Sequence, residues 1–168
     1  MIYESPKDGL ATFAGSLFSH NTQIAIFAFG LGALGGVFTL MLLFYNGLAL
    51  GAIVALHVER GIGMDIFGWL SIHGVTELAA ICISGGAGLL LGSAVVFPGE
   101  ETRRARLRAV GRDAAKMALV AALMLFAAAL LEGFGRQLVT DTSTRLAVGW
   151  GAGALWLAWF ALAGRRRG

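Results

Sequence analysis

From Thr22 to Leu56 the chain runs thirty-five residues without an aspartate, glutamate, lysine or arginine. No ordinary soluble helix or strand is that long and that apolar, and a bilayer accepts such a run only as helix, because its backbone groups must bond internally. One straight helix over this stretch would measure roughly 50 Å at 1.5 Å per residue, well beyond a hydrocarbon core of about 30 Å. The run therefore has to break. Asn46-Gly47 is the polar interruption within it and is predicted to be the turn.

Read for stretches of roughly 17–25 predominantly apolar residues, the sequence predicts segments at Thr22–Phe44, Gly47–Val58, Gly74–Phe97, Ala115–Leu131 and Leu146–Gly164. The expected fold is all-α, a polytopic transmembrane helix bundle of about five segments. The second is short, so it crosses with help from residues 59–69 or, alternatively, dips in as a half-helix. Three regions follow: an extramembrane or interfacial segment over 1–21, with His20 and Asn21 as a helix start, the transmembrane helical domain over 22–164, and a basic tail over 165–168.

Composition agrees with a membrane protein and narrows the functions. Hydrophobic residues make up 57% of the chain and charged residues only 14%, a ratio that a soluble domain of this size could not hide. The net charge of +3 does not point to nucleic acid, because the arginines flank apolar spans and form no free basic face. Cys82 is the only cysteine, which excludes an intrachain disulfide and a cysteine-type metal site. Residues 1–20 lack the pattern of a removable signal peptide.

Basic residues set the expected orientation. Arg103, Arg104, Arg106, Arg108, Arg112 and Lys116 crowd the loop after Pro98, and Arg165, Arg166 and Arg167 end the chain, whereas 58–72 and 132–145 hold only Arg60, Arg136 and Arg145. The positive-inside rule makes the first two groups cytoplasmic. His73, Glu77 and Glu132 then lie near the outer face and Asn46 near the inner one, with Asp141, Thr142 and Ser143 as caps of the last span. A crossing second segment also leaves Met1–Asn21 outside, which suggests a fragment or an abbreviated member of a larger family.

Gly32 and Gly36, Gly47 and Gly51, Gly88 and Gly92, and Gly149 and Gly153 share the small-xxx-small spacing that lets helix backbones approach within a bundle or across a homo-oligomer. The stretches opened by Asn46-Gly47 and His73-Gly74 also resemble each other weakly, as an internal repeat would. His73 and Glu77, four residues apart, fall on one helix face and with Glu132 form a candidate polar cluster. It could carry a proton, bind a cation or hold a partner loop. Equally, His73 could cap its helix and Glu77 complement the helix dipole. The spacing is too loose for a metal motif, no nucleophile is paired with a base, and no cofactor signature occurs. Ser84 reads as a hydroxyl satisfied by a backbone carbonyl.

Asn21 leading into a glycine-rich span, Asn46-Gly47 with Gly51, the run Ile72-His73-Gly74-Val75-Thr76-Glu77-Leu78-Ala79-Ala80-Ile81, the glycines Gly85, Gly88 and Gly92, and Glu132-Gly133-Phe134 together resemble the stage II sporulation protein M family from Asn21 to Gly164. The His-Gly-x-x-Glu-Leu element before the glycine-rich span is the most specific part. The resemblance implies a multi-pass protein of the bacterial inner membrane without catalytic activity or cofactor, a scaffold assembling with peptidoglycan-remodelling envelope proteins. It also implies a longer N-terminus in relatives. Membrane lipid and envelope proteins are the expected partners. A transporter or channel for a small ion or lipid, built on His73, Glu77 and Glu132, is the alternative.

Overall fold

The computed structural model describes residues 7–135, 139 and 141–165, with side chains over 18–133, at 139 and over 141–163. Among the described residues the chain forms helices and no strand. Helix α1 spans Lys7–Gly30 and is followed by a 3-10 turn at Leu31–Leu34. Then come α2 (Val37–Glu59), α3 (Gly63–Val96), α4 (Arg103–Leu130) with a π-helical turn over Leu131–Gly135, and α5 (Thr142–Arg165). Among the described residues, four stretches are long and apolar enough to cross a membrane: Val37–Glu59, Gly63–Val96, Arg103–Gly133 and Thr142–Ala163. The all-α polytopic bundle is therefore as expected, but several boundaries move.

The break in the first long apolar run is at Leu31–Gly36, and Asn46-Gly47 is not a turn. Gly35 and Gly36 have φ of 91° and 82°, in the left-handed region that glycine enters without steric penalty. Asn46 stays inside α2 because its side-chain amide donates to the Leu42 carbonyl at 2.8 Å, which satisfies the polar group within its own helix. Residues 47–58 are accordingly the second half of a full-length helix of about 35 Å, and the half-helix alternative falls away. His20 and Asn21 likewise lie within α1 and do not start it.

Helix α3 begins at Gly63, so His73-Gly74 lies roughly 15 Å along it and opens nothing. Ile66, Trp69 and Ile72 are buried at spacings of three, which gives the helix an inward face well before His73. With both polar-glycine pairs inside helices, the proposed internal repeat loses its structural basis. The arginine-rich loop is also mostly helix. Pro98-Gly99 breaks the chain after α3, and the Thr102 hydroxyl accepts from the Ala105 N–H at 3.2 Å, so that α4 starts at Arg103.

The long helix α3 is the centre, with α1, α2, α4 and α5 all packed on it. Its core is lined by small residues: Ala80, Ala87, Ala28 and Ala128 have no measurable exposure, and Ile24, Ile81, Met124 and Leu125 fill the space between α1, α3 and α4. Large apolar side chains such as Phe44, Leu48, Trp150 and Leu157 point outward. This inversion suits a lipid solvent, in which helices associate by close packing and not by hiding apolar surface.

Glycines make the closest approaches. Gly32 meets the Gly88 backbone, Gly88 meets the Ala28 carbonyl, Gly149 meets the Ser71 carbonyl, and a Cβ on Gly92 would lie 2.6 Å from the Gly36 nitrogen. Gly85 packs on Leu43 and Gly153 on Val75. Gly47 and Gly51 face open space, and Gly74 meets only Leu70 of its own helix, so these three are not packing residues among the described part of the chain.

Candidate functional site

A stripe along α3 carries the polar side chains inward. His73, Glu77 and Ser84 recur at helical spacing on one face, and α3 presents that face to its neighbours. His73 and Glu77 are each 3% exposed and Glu132 is 2% exposed, so all three are enclosed by the bundle. Glu77 lies roughly 21 Å from the Gly63 end of α3 and 29 Å from the Val96 end. Capping and helix-dipole roles for His73 and Glu77 are thus excluded by position, since such effects fade within the first turn.

Neighbouring helices bond to the stripe and to one another. From α1, the Asn21 side-chain amide donates to Glu77 Oε2 at 2.5 Å. One turn further along α1 and two along α3, the Ser84 hydroxyl donates to the Ala25 carbonyl of α1 at 2.6 Å, and from α2 the buried Thr39 hydroxyl donates to the Ala28 carbonyl at 2.8 Å. Ser84 does bond a backbone carbonyl, as expected, but one belonging to another helix. At the end of α4, the π-helical turn holds Glu132 close enough to Glu77 for their charges to interact. The Trp69 ring meets the His73 ring edge-on, centroids 5.5 Å apart.

A charged residue absent from the expected cluster is also buried. Arg145, in the first turn of α5, is 2% exposed and donates through Nε to the Val139 carbonyl at 2.8 Å. The sequence placed it among charges of an outer loop. One signal pointed inward: Asp141, four residues earlier, accepts from the Thr144 N–H at 2.8 Å and starts the helix, so Arg145 already belongs to α5. Asp141 also accepts from the Ser143 and Thr144 hydroxyls; these bonds, the Ser143 one foremost, hold its carboxyl below the usual carboxylate range.

The interior therefore contains two carboxylates, one guanidinium and one imidazole, drawn from α3, α4 and α5 and tied to α1 through Asn21. Burying such groups is expensive unless they are bonded, which makes the helix positions that supply them mutually dependent. Glu77 Oε1 and the Thr22 and Thr76 hydroxyls have no hydrogen-bond partner among the described residues. Also among the described residues, no three His, Cys, Asp or Glu side chains converge on a metal position.

Comparison with curated proteins and with solved structures gave no match. A family profile described as Stage II sporulation protein M matches residues 3–135, the stretch that carries α1 to α4 and with them Asn21, His73, Glu77 and Glu132. Helix α5 and Arg145 lie outside the match. With most of its length covered and its apolar helices long enough to span a bilayer, this chain is a multi-pass membrane protein that belongs to the stage II sporulation protein M family.

Proposed function

We propose that this protein is a non-enzymatic scaffold of the bacterial inner membrane that positions cell-envelope enzymes, with Arg103–Lys116 and the C-terminus on the cytoplasmic side. The observation that carries the reading is the use made of the interior polar groups. Asn21, Ser84 and Thr39 bind other helices to each other, and Glu77 is buried against them. Groups spent in this way fix helix register and give a rigid platform. The orientation rests on the positive-inside rule applied to the arginines that open α4.

Affinity capture from native membranes tests the role: the same envelope enzyme should co-purify repeatedly, and its consistent absence refutes the scaffold. For orientation, Cys82→Ala combined with Arg108→Cys should resist a membrane-impermeant maleimide in intact cells, and ready labelling reverses the topology. The buried carboxylates favour a second reading, transport of a proton or small ion. Reconstituted vesicles separate the two, since a transporter loses flux on Glu77→Gln whereas a scaffold shows no specific flux before or after the change.

A further inference from the structure

A cleft of about 380 Å³ lies between α1 and α4, within the range of small-ligand pockets. Phe18, Ile26 and Phe29 line it on α1, and Ala118, Ala122 and Phe126 on α4. Its polar lining consists of the Thr22 and Ser84 hydroxyls, and the Ser84 hydroxyl is already committed to the Ala25 carbonyl. Phe29 and Ala118 mark the same end of the cleft, because Gly88 of α3 meets Ala28 while neighbouring Gly86 meets Met117.

Beyond that end α4 continues as a basic helix. At 100° per residue, Arg104 falls within the helix face that Ala118, Ala121, Ala122, Leu125 and Phe126 turn to the cleft, Arg108 falls at its edge, and Arg112 lies about 40° beyond that edge, one turn nearer the cleft. These three arginines are exposed and make no ion pair among the described residues, whereas Arg106 lies 4.0 Å from Glu101 and Lys116 lies 2.8 Å from Asp113. Gly111, between Arg108 and Arg112, faces open space.

The lengths match a lipid. From Phe126 to Ala118 is roughly 12 Å, and Arg112 and Arg108 lie roughly 9 and 15 Å beyond. One leaflet has a hydrocarbon depth of about 15 Å with some 5–7 Å of headgroup above it. A tail ending at Phe126 therefore brings its phosphate to about the level of Arg112, within reach of Arg108.

We propose that the α1–α4 cleft seats one acyl chain of an anionic phospholipid whose phosphate is held by Arg108 and Arg112. Guanidinium–phosphate bonding fixes the headgroup, and the apolar cleft selects a chain over a soluble anion.

The test is native mass spectrometry of the full chain released from nanodiscs of equal phosphatidylcholine and phosphatidylglycerol. A retained phosphatidylglycerol should exceed phosphatidylcholine by about tenfold, because phosphatidylcholine places a quaternary ammonium beside the same phosphate and the two guanidinium groups repel it. Arg108→Gln with Arg112→Gln should abolish the preference, while Arg106→Gln with Lys116→Gln, an equal loss of charge off the cleft face, should keep it. Ala122→Phe fills the cleft and should remove the adduct from a monodisperse, helical protein. No preference in the unaltered chain, equal loss in both double variants, or an adduct that survives in a folded Ala122→Phe variant overturns the proposal. If Ala122→Phe does not fold, the two double variants decide.

Discussion

Gly92→Ala tests whether backbone contact between helices holds this bundle together. The added methyl would lie 2.6 Å from the Gly36 nitrogen, 2.8 Å from the Gly36 Cα and 2.9 Å from the Gly32 carbonyl oxygen. Nonbonded carbon contacts settle near 3.5–4.0 Å, so α3 and the Leu31–Gly36 turn must part by roughly 1 Å. All three atoms are backbone, and no flexible side chain can move aside. Forcing an extra methyl into a packed contact costs about 1–3 kcal/mol. Alanine also gains about 1 kcal/mol over glycine in a helix, so the proper reference is Gly51→Ala, where the new methyl meets nothing within 4 Å. The helix term cancels between the two variants and leaves a gap of about 1–3 kcal/mol in favour of Gly51→Ala. For a chain of this size that corresponds to roughly 2–12 °C in melting temperature. Reversible unfolding in mixed micelles, followed by circular dichroism, reads the difference. Equal stabilities for the two variants, or a more stable Gly92→Ala, would refute the packing argument.

Glu77→Leu should lower stability by about 1–3 kcal/mol, because the Asn21 amide loses its acceptor, whereas Glu77→Gln keeps one and should cost clearly less; indistinguishable unfolding curves would count against the α1–α3 link. Arg145→Leu should cost about 1.5–3 kcal/mol, and Arg145→Lys should recover little of it, since the bond to Val139 runs from Nε and lysine has no equivalent donor. Full recovery by lysine in the same assay would show that charge alone matters. The cap of α5 should weaken in acid. With the Asp141 carboxyl held below its ordinary value, its contribution is complete above the unfolded value near 3.9 and is lost as pH falls through the lowered folded value. Amide exchange at Thr144 and Arg145 should accelerate over that window, and in Asp141→Asn the acid-dependent part of the change should vanish.

Length and apolarity made the helical class legible, because a run such as Thr22–Leu56 leaves a chain no other solution in lipid. Boundaries were not legible, and the reason is physical. A membrane helix is apolar on every side, so periodicity does not mark where it ends. Asn-Gly signals a turn in soluble chains, yet Asn46 is satisfied by the Leu42 carbonyl and leaves α2 unbroken. The real turn was encoded in Gly35 and Gly36, hidden among apolar neighbours. Glycine spacing identified three pairs that pack, Gly32 with Gly36, Gly88 with Gly92, and Gly149 with Gly153, but also Gly47 and Gly51, which do not. Spacing reports which residues share a face; it carries no information about whether another helix covers that face. His73 and Glu77 were recognised as one face; that they stand mid-helix was not legible, because nothing in the sequence marks the start of α3 at Gly63.

The interior cluster and the glycine contacts together explain how a chain with an inverted surface can hold a single arrangement. Apolar side chains gain little by moving from lipid to protein, so specificity must come from interactions that lipid cannot replace. Backbone-to-backbone contact at Gly88, Gly92 and Gly149 is one such interaction, and the bonds from Asn21, Ser84 and Thr39 are another. All but one of these residues lie within the stretch that matches the family; the exception is Gly149 of α5, beyond residue 135. Helix α5 nevertheless docks on α3 by the first of these devices, Gly149 against the Ser71 carbonyl, while its buried Arg145 bonds the Val139 carbonyl. The outward faces of α2 and α5, whose spans are the least buried, are where a membrane partner can meet the bundle without displacing one of its own helices. A rigid interior with its free surface on the outer helices is the arrangement that a scaffold requires.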